Sequence, residues 1–229
     1  VPVPQWKSYF WPGTQVLKNK LGFKDEAALT AMELLHTTLQ AERIASGLIP
    51  IDRTFDATHL KAIHAALFSR IYTWAGEFRT VNIRRGVNEF ASVADIPRVV
   101  DEMHRQISET DWGVDDRDVF ASNISTTAAI GNFAHAFRDG NGRVMRILLN
   151  HVCERSPCRL DFTDLDAAVW NQRSALTMPD RGSAQVHPEE FVDVFKAIAV
   201  DANQHSEAER GEDGYRLQPG QDAGDDLSR

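Results

Sequence analysis

The sequence predicts an all-α domain, a compact helical bundle carrying one small β-hairpin. Three observations predict it. Apolar residues recur at helical spacing through most segments from residue 25 to residue 202. A single stretch, TVNIRRGVNEF, breaks that rhythm with two β-leaning runs around a turn. The composition, 42% hydrophobic and 25% charged over 229 residues, is that of an ordinary globular chain able to bury a sizeable core.

Taken in order, residues 1–24 form an N-terminal arm that opens rich in aromatics and prolines. Asp25 to Gly47 reads as a helix, with Ala27, Ala31, Leu34, Leu35 and Leu39 as the apolar stripe and Gly47 as the stop. Asp56 to Gly76 reads as a second helix, capped by Asp56, with Leu60, Ile63, His64 and Leu67 on one face. The hairpin pairs TVNI with VNEF around Arg84, Arg85 and Gly86. Helices follow in DIPRVVDEMHRQISE, in DVFASNISTTAAIGNFAHAF (Phe120, Ile124, Thr127 and Ala128 on one side) and in RVMRILLNHVCER (Val144, Ile147, Leu148 and Val152). DLDAAVWNQRSALT and HPEEFVDVFKAIAVDANQ complete the set. The domain is placed at residues 25–202, and residues 203–229 are expected to be an acidic, disordered tail.

The net charge is −8, of which the tail's seven acids and three arginines carry −4. That balance argues against broad nucleic-acid binding and leaves room for one local basic site. No apolar run reaches the roughly 18 residues of a membrane span, and the first residues do not read as a signal peptide, so no membrane partner is expected. Cys153 and Cys158 are expected to be reduced thiols in or beside a helix. The other histidines, His36, His59, His64, His104, His151, His187 and His205, show no metal-ligand spacing and read as ordinary core or surface residues.

The segment that carries chemistry is HAFRDGNGRVMR, His135 to Arg146. Gly140 and Gly142 permit positive φ, so successive N–H groups of the turn can converge on an anion. The helix after the turn presents unsatisfied N–H groups and the positive end of its dipole. Cations are disfavoured at that end, yet Arg143 and Arg146 both stand in the first turn. A polyanion such as a triphosphate over the turn accounts for them. Asp139 alone is a poor metal cage, but Mg²⁺ takes one or two carboxylates plus substrate phosphates and water. His135, ending the preceding helix, is the group best placed to accept a proton near neutral pH. A P-loop is excluded, because GxxxxGK(S/T) does not occur.

This segment resembles the Fic-domain signature HPFx(D/E)GNGRxxR, with Ala136 in place of the common proline. The resemblance extends through YFWPGTQVLKNKLGFKD, LFSRIYTWAGEFRTVNIRRG and LDFTDLDAAVWNQRSA, from about Tyr9 to Ile198. It implies a Fic fold and a protein adenylyltransferase that moves AMP from ATP to a Tyr, Ser or Thr hydroxyl of a target protein and releases pyrophosphate. By the same resemblance His135 is the general base, Phe137 the loop anchor and Asp139 the Mg²⁺ ligand. Gly140, Asn141, Gly142, Arg143 and Arg146 are the phosphate-binding residues, with the Asn141 side chain adding a donor. Ile83, Arg84, Arg85, Gly86 and Phe90 resemble the flap on which a target peptide adds as a strand. Trp170 and Asn171 stand where the family builds part of its adenine pocket; a core role for Trp170 is the alternative.

The resemblance also bears on regulation. Many family members are held off by a helix carrying (S/T)xxx(E/D)(G/N), whose acid pairs with the second arginine. Here only Asp139-Gly140 and Asp213-Gly214 offer an acid before Gly or Asn, and His135 and Glu209 stand four residues earlier. The expectation is a toxin or effector restrained by a small antitoxin that supplies the acid to Arg146. Its setting would be the bacterial cytoplasm, or a host cell into which it is delivered. The readings left standing beside AMP transfer are a non-catalytic Fic-fold binding protein and transfer of another nucleotide or of a phosphoryl group.

Overall fold

A computed structural model describes residues 6–202. Among them are seven α-helices and two two-stranded antiparallel sheets. The tail at residues 203–229, with its expected disorder, His205 and Asp213, lies outside the described residues.

The helices begin where short acidic side chains can cap them. α1 (Glu26–Ala45), α2 (Ala57–Phe68), α4 (Arg117–Ala134) and α6 (Ala167–Leu176) start after Asp25, Asp56, Asp116 and Asp166. Each aspartate side chain accepts a hydrogen bond from an N–H of the first turn. α3 (Ile96–Glu109) starts with a proline in its first turn, where no N–H is required. α5 (Asn141–Cys153) and α7 (Glu189–Ile198) complete the bundle. α4 is its axis, packed against α3, α5 and α7, while α1 leans on α2 and α2 on α5. The stripes expected on α2, α4 and α5 are all buried.

Three expectations are corrected. On α1 the buried residues are Leu29, Glu33, Thr37, Gln40, Ala41 and Ile44, whereas Leu35 and Leu39 are 67% and 51% exposed. The inward face is polar because it reaches the functional loop. Glu33 accepts a hydrogen bond from the Tyr72 hydroxyl, and Thr37 Oγ1 lies 3.5 Å from Arg143 Nη1.

The second helix ends at Phe68 instead of running to Gly76. Tyr72 and Trp74 stack on one another, and Trp74 tilts against His64, so the chain folds back onto α2. Gly76 closes this turn at φ 84°, and its N–H donates to His64 Nδ1 at 2.8 Å. A methyl group there would stand 3.1 Å from Ala65 Cβ.

The last helix also stops early. Ala199–Asp201 (β4) pairs with Cys158–Leu160 (β3), in the register Cys158 to Asp201 and Leu160 to Ala199. The hydrogen bond from Asp161 N to Ile198 O, 2.9 Å, extends this pairing past the helix end.

The hairpin is shorter than its β-leaning runs. Arg84–Arg85 (β1) pairs with Asn88–Glu89 (β2), with Gly86 at φ 59° in the turn. Residues of the arm pack on the body: Tyr9 hydrogen-bonds Thr80, and the Arg138 guanidinium lies 3.8 Å from the Trp6 ring centroid. Cys153 and Cys158 are both buried and unbridged. Among the described residues no helix is long and apolar enough to cross a membrane.

Candidate active site

The loop between α4 and α5 and the first turns of α5 hold the motif residues singled out from sequence, and the loop's shape follows from a few contacts. His135 caps α4 in the left-handed conformation, φ 37° and ψ 55°. This region is uncommon for a non-glycine residue. Beyond it, Phe137 turns inward and is almost wholly buried. Its ring stacks on His64 with centroids 4.1 Å apart and meets the edge of Phe78.

Asn141 closes the loop. Its Oδ1 accepts from Phe137 N at 2.9 Å, and its Nδ2 donates to Phe137 O at 3.0 Å. Both ends of the amide therefore hold the loop backbone, with one of the two Nδ2 hydrogens used on Phe137 O.

Gly140 precedes α5 at φ 77°. A Cβ at Gly140 would meet the Phe68 ring at 2.4 Å, so both conformation and space require glycine. Gly142 lies inside the first turn of α5, which corrects the expectation of a second positive φ. Only the first of the two glycines makes the turn.

The charges gather around this helix start. Asp139 Oδ1 accepts from Gly140 N and lies 3.4 Å from Arg143 Nη2. Arg143 also covers the Phe68 ring at 4.7 Å. Asp139 thus supplies a local counter-charge that the bare sequence did not reveal. Arg146 is buried to 7% exposure, with its guanidinium 4.5 Å from the Phe162 centroid. Phe162 in turn meets the edge of Trp170, which links Arg146 to α6. Trp170, partly buried, stacks on Phe191 at 4.9 Å and meets Phe195 edge-on. Asn171 is half-buried beside it.

The hairpin stands over His135. Phe90 stacks on the His135 imidazole, while Ile83 and Phe90 are both buried and joined by a backbone bond from Phe90 N to Ile83 O, 3.3 Å. These two are the base of the segment that resembles the flap. Arg84, Gly86 and Val87 are exposed, Val87 at 97%, and Arg85 is partly covered. Asn88 Nδ2 bonds Ala175 O at 3.0 Å, tying the hairpin to the end of α6.

Two residues that carry no motif of their own shape the loop. His64 accepts from Gly76 N at Nδ1, so its Nε2 carries the hydrogen and donates to Asp139 O at 3.2 Å. Burial lowers its pKa to about 3, so the ring is neutral. Arg79 is buried to 2% exposure and points its guanidinium at backbone carbonyls around His135. His64 sits on the buried stripe of α2, where a polar residue was the available signal. Arg79 offered none beyond a lone charge before an apolar run.

Among the described residues no group of three or more His, Cys, Asp or Glu could enclose a metal ion. Asp139 does fit a magnesium ion that arrives with a nucleotide. Its carboxylate is partly exposed at the helix start, and one carboxylate suffices when phosphates and water complete the shell.

The chain is similar in sequence and fold to known proteins. The Fic/DOC family model matches residues 54–153. The protein adenylyltransferase VbhT of Bartonella schoenbuchensis is 30% identical over 168 residues, covering 72% of this chain. The chain spans only 34% of that relative's length. The probable protein adenylyltransferase Fic of Escherichia coli is 27% identical over 165 residues, 72% of this chain and 80% of that protein. Among solved structures, BepC of Bartonella tribocorum with bound AMPPNP superposes with a TM-score of 0.76 at 22% identity. That match covers 85% of this chain and 97% of the other, and it establishes the fold. The chain therefore carries a Fic domain, matched by the Fic/DOC family over residues 54–153, and is homologous to the protein adenylyltransferase VbhT and to the probable protein adenylyltransferase Fic.

Proposed function

We propose that the protein is an adenylyltransferase that moves AMP from ATP to a Tyr, Ser or Thr hydroxyl of a target protein and releases pyrophosphate. One observation carries the reading: HAFRDGNGRVMR folds as a tight loop and the first turns of α5, which set an imidazole, a carboxylate and two guanidiniums around the start of that helix. The names of the relatives and the AMPPNP bound to BepC point the same way.

In this reading His135 takes the proton of the target hydroxyl. The freed oxygen attacks the α-phosphorus, and the bond from that phosphorus to the bridging oxygen of the β-phosphate breaks. The electron pair leaves with pyrophosphate. The start of α5 receives the phosphates through its backbone N–H groups and dipole. Arg143 neutralises charge near the β-phosphate and Arg146 near the γ-phosphate. Asp139 would hold Mg²⁺, which supplies charge neutralisation at the phosphates. The protein's contribution is positioning and electrostatics. The exposed rim of the hairpin, Arg84 to Asn88, is the edge that a target segment would pair with; Ile83 and Phe90 support it from below.

Arg146 is also the point of restraint in this reading. A separate small protein with an (S/T)xxxE(G/N) helix would offer its glutamate to Arg146 in competition with the γ-phosphate. The setting we infer is the bacterial cytoplasm, or a cell into which the protein is delivered.

ATP labelled at the α-phosphate, incubated with the chain and a bacterial lysate, should label protein, whereas γ-labelled ATP should not. Label from γ-labelled ATP alone would make the enzyme a kinase, and label from neither would leave a binding protein.

A further inference from the structure

The guanidinium of Arg79 is the least expected charge in the molecule. It is buried, and among the described residues no carboxylate pairs with it. Its partners are backbone carbonyls. Nε donates to His135 O at 2.8 Å, Nη1 to Val81 O at 2.8 Å, and Nη2 to Ala91 O and, at 3.4 Å, to Ala134 O. The residue's own N–H donates to Ala136 O at 2.8 Å.

These acceptors belong to two structures that the sequence separates. Ala134 and His135 are the C-terminal end of α4, where carbonyls lack helical partners and the dipole favours a cation. Val81 and Ala91 are the two feet of the hairpin, just outside the base residues Ile83 and Phe90. A second tie runs from Ala91 N to Phe133 O at 2.9 Å. Arg79 is therefore a rivet through three chain segments, with the His135 backbone at its centre.

We propose that Arg79 is a positioning residue: it holds His135 in its left-handed conformation and fixes both hairpin feet against it, so that the base and the target strand share one frame. The proposal rests on the adenylyltransferase reading for its catalytic consequence. Its structural part stands without that reading. The chemistry demands arginine. A guanidinium offers five donors in a planar fork and can serve carbonyls in several directions at once. An ammonium has three donors at one point and cannot span the same fan. Burial lowers the Arg79 pKa only to about 10, so the charge facing the α4 carbonyls persists at neutral pH.

The test compares Arg79→Lys and Arg79→Gln with the parent chain and with Ile107→Ala, a cavity variant in α3 that matches a loss of stability far from the site. Three quantities are read. Transfer from α-labelled ATP to lysate protein should fall about 10- to 100-fold in both Arg79 variants. AMPPNP affinity by calorimetry should stay within about threefold, because the α5 start is not an Arg79 partner. In histidine-labelled protein the His135 ring signals, shifted by the Phe90 face, should move in both Arg79 variants and not in Ile107→Ala.

The proposal is overturned if Arg79→Lys keeps the His135 signals and full transfer, or if Ile107→Ala loses as much transfer at equal melting temperature. If Arg79→Gln does not fold, Arg79→Lys decides. If the parent chain labels nothing, the adenylyltransferase reading fails on its own, and the His135 signals still test the rivet.

Discussion

The Phe90 ring lies face to face with the His135 imidazole, centroids 3.9 Å apart and planes 20° from parallel. The hairpin base thus sets the plane of the proposed base from one side while the Arg79 guanidinium holds its carbonyl from the other. Replacing Phe90 by Leu should cost about 1 kcal/mol of stability, since it keeps most of the apolar volume. Transfer from α-labelled ATP should nevertheless fall about tenfold, because an aliphatic side chain does not hold the ring plane. Initial rates against urea denaturation of the same protein check the two effects separately.

Gly140 should tolerate no side chain. Alanine there would be strained by roughly 1–2 kcal/mol at a left-handed φ, in addition to its clash with Phe68. Pairing Gly140→Ala with Phe68→Leu should remove part of the clash and leave the backbone strain. The double variant is expected to be about 1 kcal/mol more stable than the sum of the two losses. Urea midpoints of the four proteins give that coupling directly.

Asn141→Asp should damage the loop although it is nearly isosteric. The aspartate still accepts from Phe137 N but no longer donates to Phe137 O, which then faces a carboxylate in a buried place. A loss of about 1–3 kcal/mol follows from an unsatisfied buried carbonyl. Weaker AMPPNP binding, measured by calorimetry, should accompany it, because Phe137 no longer anchors the turn.

Acid should weaken the fold through histidines outside the proposed chemistry. His59 and His151 stack, and His59 Nε2 donates to His151 Nδ1 at 2.8 Å, since His59 Nδ1 already accepts from Phe55 N. Burial lowers their pKa values from 6.5 to about 4 and about 3, with the Arg53 charge adding to it. His64 is lowered to about 3. The unfolded chain therefore binds more protons than the folded one below pH 6.5. The stability these neutral rings represent is complete above that pH and declines as pH falls toward 4 and 3. Urea midpoints should drop between pH 7 and pH 5, and His59→Phe should make the drop shallower.

Much of this was legible in the sequence for identifiable reasons. The aspartate cap at residue 56 and the apolar stripes of α2, α4 and α5 are local signals, and they located those helices. The segment from His135 to Arg146 is contiguous, so its chemistry is written in twelve consecutive residues. What failed was non-local. The inward face of α1 is polar because Glu33 and Thr37 reach toward Tyr72 and Arg143, so its most apolar stripe points outward. The pairing of β3 with β4 joins segments about forty residues apart with no turn between them. Arg79 and His64 act through backbone groups that no spacing rule reveals.

AMP transfer with His135 as base is tested by comparing the parent chain with His135→Ala, using α-labelled ATP and measuring AMPPNP affinity in parallel. The variant should bind AMPPNP within about threefold of the parent, and transfer should fall at least about 100-fold, the scale of a lost general base. Transfer persisting at the parent rate in His135→Ala would contradict that role.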